Sequence, residues 1–300
     1  MRGLRAYPEL RSVRVTPDDR AALWSLSWPT LAVSLSGQIA LQSDNIVVGA
    51  FLGPASVTAF FLTQRLARLA LAQLEGLGIA TWAPLVELHA QEKHDPFRQR
   101  LLDLTSLLSG VGLATLGPIV VYNQPFMRLW VGPGYFAGYA VCVTASINAW
   151  LWSLSTLWSW PISGTGRVRH WLPYAVTSAV LNISISVFAT IRLGVVGPLL
   201  GTLAAFVLVQ SWALPRVLWE LFSIEPRQLL GRAAVPLLWG GPYLGILWFA
   251  VQRHPPDRWV SLGLGAAGSM AGGAALWWFL SLTATDRSFW TSRLRILLRS

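Results

Sequence analysis

Apolar residues along this chain form long runs that are separated by short segments rich in Arg, Gly and Pro. An α-helix needs about 20 predominantly apolar residues to cross the hydrocarbon core of a bilayer. Eight runs reach that length, and we therefore predict about eight transmembrane helices. They lie near residues 22–51, 55–84, 101–122, 138–161, 171–191, 195–215, 233–251 and 259–282.

Glycine and proline mark the junctions between these runs, because both residues favour turns over helix continuation. The connecting segments are short, so we expect neighbouring helices to be antiparallel. The junctions contain Gly53-Pro54, Gly132-Pro133-Gly134, Gly164-Thr165-Gly166, Gly194 and Pro255-Pro256.

The composition supports an all-α integral membrane protein. Of the 300 residues, 54% are hydrophobic and 12% are charged, whereas a soluble domain carries about 25% charged residues. The formal charge of +10 could indicate a nucleic-acid partner, but the basic residues lie mainly in the loops, which favours membrane lipid as the partner and not nucleic acid. The one cysteine, Cys142, excludes an intramolecular disulfide and a thiol-based metal site.

Lysine and arginine are concentrated in alternate connecting segments. The N-terminal segment, the second, fourth and sixth loops and the C-terminal tail hold 17 of them, and the intervening loops hold four. Loops rich in these residues stay on the cytoplasmic side, so we predict that both termini are cytoplasmic. Residues 1–20 then form a cytoplasmic basic segment, and residues 283–300 form an amphipathic basic tail on the inner leaflet.

Enzymatic signatures are weak, and we expect neither catalysis nor a cofactor nor a bound metal. Residues 263–268 match the dinucleotide fingerprint, but they lie within a predicted spanning helix. Together with Gly272 they are better interpreted as a small-residue packing face, as are Gly197 and Gly201. His89, Glu92 and His94 do not have the spacing of a zinc protease motif, and a solvated cytoplasmic loop is expected there. The loops also lack the paired carboxylates or activated nucleophile of a glycosyltransferase or acyltransferase.

Ionisable residues within the membrane are costly and usually face a protein interior or a water-filled cavity. Here they lie in the first two predicted helices, as Asp44, Arg65, Arg68 and Glu75. Asp44 and Arg65 should lie at similar depths, since they are roughly 12 to 17 Å from the turn that joins the two helices. One interpretation is a neutralising Asp44–Arg65 pair that locks the hairpin. The other is a cavity in which the two arginines bind an anionic group such as phosphate.

The 17 tryptophans suggest an interfacial belt, because the indole ring is apolar and its N–H group can meet water. Trp24, Trp28, Trp171, Trp259, Trp277 and Trp278 fit that position. A denser group could line a sugar-binding surface, although packing is the preferred interpretation. This group consists of Trp150, Trp152, Trp158 and Trp160.

Two stretches of sequence resemble a known family. Residues 42–53 and 59–66, which include the run Gln42-Ser43-Asp44-Asn45, resemble the start of the second lobe of polysaccharide exporters. These are the lipid-linked oligosaccharide, or O-antigen, flippases of the multidrug/oligosaccharidyl-lipid/polysaccharide superfamily. Residues 164–197 look like a later hairpin of the same family, and residues 8–29 are similar to its inter-lobe linker.

The resemblance implies a six-helix transporter lobe at residues 21–215, followed by two additional helices at residues 216–282. It implies a flippase of the bacterial inner membrane that helps to translocate an undecaprenyl-pyrophosphate-linked oligosaccharide in surface polysaccharide biosynthesis. Asp44 and Arg65 fall on positions typical of the family, whereas Arg68 and Glu75 are candidates only because of their charge within the membrane. Family members have two lobes, so we expect a homodimer or a separately encoded first lobe to complete the transport path.

Two alternatives remain open at this point. A cation-coupled multidrug exporter of the same superfamily would use Asp44 or Glu75 to take up a proton or a sodium ion. A truncated remnant or an assembly subunit would not transport at all.

Overall fold

The computed structural model describes residues 16–282 together with Arg287 and Thr291. Every regular element in this part of the chain is a helix, which confirms the all-α prediction. The predicted N-terminal basic segment falls largely outside the described residues, and so does most of the predicted C-terminal tail.

Eight long helices follow one another in the described part of the chain. The sixth contains a π-helical turn at Phe206–Gln210, and the eighth ends in another at Trp277–Ser281. They are α1 (Pro17–Leu52), α2 (Pro54–Ala90), α3 (His94–Trp130), α4 (Tyr139–Gly164), α5 (Leu172–Leu193), α6 (Gly197–Phe222), α7 (Pro226–Arg253) and α8 (Trp259–Ser281).

Seven of the eight helices are longer than the apolar runs that predicted them, and α8 ends one residue earlier than its run. The largest difference is at α3, which begins at His94 instead of residue 101 and ends at Trp130 instead of residue 122. Its first turns are amphipathic, with Phe97 and Leu101 buried and polar residues between them, so a search for apolar runs passes over them.

Among the described residues, six helical stretches are long and apolar enough to cross a membrane, and they mark the chain as a multi-pass membrane protein. One stretch, Leu172–Phe222, contains both α5 and α6, which pack against each other after the chain turns at Gly194. Helix α1 does not meet the same criterion, because polar residues such as Gln38, Gln42 and Asp44 lower its mean hydropathy. The count of eight spans and the cytoplasmic position of the termini remain predictions.

Helices α1 and α2 form a hairpin with a defined beginning and a sharp turn. At the N-terminus of α1, the Thr16 hydroxyl accepts a hydrogen bond from the Asp19 backbone N–H, and the Asp19 carboxylate accepts one from the Thr16 backbone N–H. These hydrogen bonds hold the pKa of Asp19 below its ordinary value. The hairpin turns at Gly53, whose φ of +83° is readily adopted only by glycine, and Pro54 begins α2.

Helix α3 lies at the centre of the bundle and packs against α2, α4, α7 and α8. Glycines on α3 allow large side chains to approach its backbone: Trp277 lies against Gly110, Trp150 against Gly112, and Leu244 against Gly117. Helices α7 and α8 therefore pack directly on the same central helix as α2 and α4. The division into a six-helix lobe and two additional helices remains a prediction.

The predicted small-residue packing face on α6 is confirmed. Gly197 lies against the backbone of Thr190, and Gly201 lies against the backbone of α5 near Ser186. On α8 the prediction holds for Gly265 and Gly272, which face tyrosine side chains, whereas Gly263 and Gly268 have open space beside them.

Candidate functional site: a polar cleft beside the first hairpin

Asp44 lies on the inner side of α1 and is buried, with 5% of its surface exposed. Its Oδ1 atom has no hydrogen-bond partner among the residues that the structure describes. The Oδ1 atom of the neighbouring Asn45 is also buried and has no hydrogen-bond partner among the described residues. A buried carboxylate without a partner is costly, so this position is suited to a group that brings a proton, a cation or a hydrogen-bond donor.

One face of α2 approaches Asp44. Gln64, Ala67, Arg68 and Leu71 follow each other at the i, i+3, i+4, i+7 spacing of a single helical face, and together with Asp44 they line one cavity. Arg68 is half-buried in this cavity and acts electrostatically on Asp44.

Arg65 does not occupy the predicted position. Its side chain is exposed, it does not line the cavity, and no salt bridge joins it to Asp44 in the described part of the chain. Position 65 is rotated by about 100° from position 64 around the helix. The Arg65 side chain therefore points away from the helix face that approaches Asp44. Both guanidinium groups remain near the ring of Phe61, at 5.8 Å for Arg65 and 6.0 Å for Arg68. The neutralising Asp44–Arg65 pair, one of the two interpretations of the sequence, is not formed among the described residues, and Arg68 is the arginine that shares a cavity with Asp44.

We call the space around Asp44 and Arg68 the charged cavity. Its volume is about 170 Å³, and it lies between α1, α2, α4 and α6. On the far wall, Asn148 donates to the carbonyl oxygen of Leu199 at 2.8 Å and keeps its own amide oxygen unpartnered among the described residues. The polar side chains of this cavity are Gln42, Asp44, Gln64, Arg68, Asn148, Trp152 and Thr202.

A second cavity of about 170 Å³ adjoins the first and lies between α1, α4, α5 and α6. The two cavities share Ala40 and Trp152. No ionisable side chain lines the second one, and hydroxyl groups dominate its polar surface, so we call it the hydroxyl cavity. Its polar and aromatic side chains are Ser36, Trp152, Ser155, Thr156, Ser159, Trp171, Ser178 and Gln210. The two cavities lie side by side along α1, and we call them together the polar cleft.

Glu75 borders this cleft through Trp152. The indole Nε1–H of Trp152 donates to the Glu75 carboxylate at 3.0 Å. Glu75 is half-buried and lies seven residues after Arg68 on the same side of α2. The contact fixes the orientation of Trp152, which separates the charged cavity from the hydroxyl cavity.

The dense tryptophan group serves two purposes. Trp158 is buried and donates to the hydroxyl of Thr105 at 3.1 Å, and Trp160 packs on Gly78. With Trp150 packed on Gly112, three of the four tryptophans fill space between helices, and only Trp152 lines the cleft.

Two tryptophans that we assigned to an interfacial belt are buried instead. Trp171 is 6% exposed and lines the hydroxyl cavity, and Trp277 is 8% exposed and packs on Gly110. Trp24, Trp28 and Trp259 are exposed, in agreement with the prediction.

The expected solvated loop around His89 is only partly found. Glu92 is exposed, but the His89 ring lies in an aromatic cluster, 5.1 Å from the ring of Phe222 and 5.5 Å from that of Phe97. The cluster forms because the ends of α2 and α6 meet the start of α3, which no short motif reveals. No metal-binding group of three or more ligands occurs among the described residues.

Sequence reasoning did not assign Asn148, Thr202 and Ser178 to the cleft. These residues are uncharged and lie far from the first hairpin in the chain: Asn148 is on α4, Ser178 is on α5 and Thr202 is on α6. The available signal was the presence of amide and hydroxyl side chains within otherwise apolar runs, where such groups require hydrogen-bond partners.

No protein-family model, curated protein or solved structure matches this chain. The resemblance to polysaccharide exporters therefore rests on residues 8–29, 42–53, 59–66 and 164–197 alone. The chemistry of the polar cleft is the remaining guide to function.

Proposed function

We propose that this protein is a flippase-type exporter of the bacterial inner membrane that helps to translocate an undecaprenyl-pyrophosphate-linked oligosaccharide for surface polysaccharide biosynthesis. The observation that carries the proposal is that Arg68 and Asp44 line one cavity, on helices that form a hairpin in a multi-pass membrane protein. Arginine within a membrane helix is costly unless it faces a protein interior or a polar cavity. A cavity that retains an arginine is suited to an anionic substrate.

A pyrophosphate is the anion that this chemistry fits best. The guanidinium group is planar and presents parallel N–H donors that match phosphate oxygens. Arg68 has no salt-bridge partner in the described part of the chain, so its donors remain free for a ligand. Arg65 is exposed on the adjacent side of the same helix and can contact the substrate as it enters.

The exposed position of Arg65 also supports a partner on this side of the hairpin. A lipid-facing arginine near the bilayer centre would cost about 2.5–3.5 kcal/mol or more. A second copy of this chain, or a separately encoded first lobe, would cover the face and complete a path for the substrate. No bond is made or broken in this function, which requires no cofactor.

The test is surface polymer export in a bacterial strain that lacks its own lipid-linked oligosaccharide flippase. We expect the wild-type chain, expressed with its natural partner if one is encoded, to restore surface polymer. Arg68→Ala should reduce export by about tenfold or more, because a hydrogen bond to a charged group contributes about 1.5–3 kcal/mol.

The matched control is Arg253→Ala. Like Arg68, Arg253 is an arginine beside a phenylalanine, 4.2 Å from the ring of Phe249, but it is exposed at the end of α7 and does not line the cleft. Its replacement should leave export unchanged. Membrane levels of both variants are measured by immunoblot, and full export by the Arg68→Ala variant at a normal level would contradict the proposal.

A second candidate is a cation-coupled drug exporter. The observation in its favour is Asp44, whose buried Oδ1 atom has no partner among the described residues and could take up a proton or a sodium ion. Drug resistance conferred on a host without polymer genes, and abolished by Asp44→Asn, would support this candidate over the flippase.

A further inference from the structure

We propose that the hydroxyl cavity is a binding site for a neutral, polyhydroxylated ring, in chemical class a pyranose sugar. This inference rests on the proposed function in one respect, since it assigns the sugar of the lipid-linked substrate to a place beside the charged cavity. The cavity itself is defined by contacts that do not involve Asp44 or Arg68.

Hydrogen-bond acceptors form most of the polar surface of this cavity. Ser36 donates its hydroxyl proton to the Ala32 carbonyl at 2.8 Å, and Ser155 donates to the Leu151 carbonyl at 3.0 Å. Their oxygens keep their lone pairs for a ligand. Ser36 is 9% exposed and Ser155 is 7% exposed, so these oxygens are largely withdrawn from bulk solvent and face the cavity.

The Ser178 side chain can both accept and donate. The Ser178 hydroxyl is 4% exposed and accepts a hydrogen bond from the Gln210 amide at 2.9 Å, and no described residue accepts its own proton. A ligand that fits the cavity must therefore offer several donors and at least one acceptor at close spacing. The hydroxyl groups of a sugar ring have this property, whereas an acyl chain has no such groups.

The lining of the cavity contains no charged side chain, and this favours a sugar over a cation. Trp152 and Trp171 supply indole rings, which could stack on the C–H face of a sugar or attract an ammonium group. No carboxylate lines the cavity, and Glu75, which borders it through Trp152, already accepts a hydrogen bond from Trp152. A neutral ligand therefore fits better than a cation.

The size restricts the ligand further. A volume of about 170 Å³ is below the roughly 300–1,000 Å³ of pockets that enclose drug-sized ligands. The cavity would hold one ring and not a whole oligosaccharide. Because it meets the charged cavity at Ala40 and Trp152, that ring would be the one next to the pyrophosphate.

The experiment compares two lipids by native mass spectrometry of the full chain released from nanodiscs: undecaprenyl pyrophosphate, and the same lipid carrying one N-acetylglucosamine. We expect the sugar to increase the affinity of the wild-type chain by about tenfold. The Ser155→Ala/Ser178→Ala variant should lose this increase and bind the sugar-free lipid as before. Ser184→Ala is the matched control, because Ser184 lies on the same helix as Ser178 but is exposed on its outer side.

A second variant and a second pair of probes keep the two proposals distinguishable. Ala179→Leu should fill the cavity and remove the same increase in affinity, whereas Ala80→Leu at an exposed position of α2 should not.

The second pair of probes contains no pyrophosphate. Dodecyl β-D-glucoside should bind more tightly than dodecanol, and the Ser155→Ala/Ser178→Ala variant should remove that difference. If the glucoside is preferred but neither pyrophosphate lipid binds, the sugar site stands and the proposed function fails. Equal binding of sugar-bearing and sugar-free probes by the wild-type chain would overturn the sugar site.

Discussion

At the scale of single residues, Asp44 shares its cavity with the half-buried Arg68, whereas Arg65 on the same helix is exposed. Arg65 and Arg68 are three residues apart on one helix, and either could have faced Asp44 from the sequence alone. The choice depends on how α2 is rotated about its axis, which the packing of Phe60, Gln64 and Ala67 into the core determines. That rotation depends on contacts with residues distant in the chain, and no local pattern encodes it.

Glycines at helix crossings provide a sharp test at the same scale. A Cβ atom added at Gly201 would lie 2.6 Å from the backbone nitrogen of Ser186, so Gly201→Ala must push α5 and α6 apart. We expect a loss of about 1–3 kcal/mol in stability, the usual cost of overpacking a core. Gly268→Ala on α8 is the control, because that position has open space beside it.

The measurement can use the protein's own thiol. Cys142 is the one cysteine in the chain and is buried, so a thiol-reactive dye reports unfolding on heating. The Gly201→Ala variant should react at a lower temperature than wild type, and Gly268→Ala should react near the wild-type temperature. Equal reaction temperatures for the Gly201→Ala variant and wild type would show that α5 and α6 can separate freely.

At the scale of whole helices, most of the architecture follows from the sequence. Each of the eight apolar runs corresponds to one helix of the structure, and the turn at Gly53-Pro54 lies where it was predicted. The helix ends were less predictable, because the first turns of α3 and the end of α2 are amphipathic and contribute little to an apolar run. Part of the polar character of α1 has a different origin, since its Gln42 and Asp44 line the charged cavity.

The membrane topology can be tested at this scale, starting with α2. On a Cys142→Ala background, Ala55→Cys should react with a membrane-impermeant maleimide added outside intact cells. Lys93→Cys should react only after the membrane is permeabilised. Both positions are exposed, and they lie at opposite ends of α2. These results are expected because the positive residues around the second loop hold it in the cytoplasm.

The opposite pattern would exclude the predicted orientation. Labelling of both positions from the same side would show that α2 does not cross the membrane. Asp257→Cys, exposed between α7 and α8, extends the test and should behave like Ala55→Cys if α3 to α7 each cross once.

At the scale of the whole molecule, two adjoining cavities of different chemistry lie along α1. One contains an arginine and an unpartnered carboxylate, and the other contains hydroxyl groups and indole rings. A substrate with an anionic part joined to a sugar would match both cavities at once. This arrangement could not be predicted from the sequence, because it requires residues from α1, α2, α4, α5 and α6 to surround one space.

The most direct test of the central claim is translocation of a labelled undecaprenyl-pyrophosphate-linked oligosaccharide in proteoliposomes that contain the purified chain, with its natural partner if one is encoded. We expect the wild-type protein and the Arg253→Ala control to move the label across the bilayer at equal rates. The Arg68→Ala variant, checked to have the same melting temperature as wild type, should move the label at about one tenth of the wild-type rate or slower. Transport by Arg68→Ala at the wild-type rate would contradict the assignment of this cleft to the substrate.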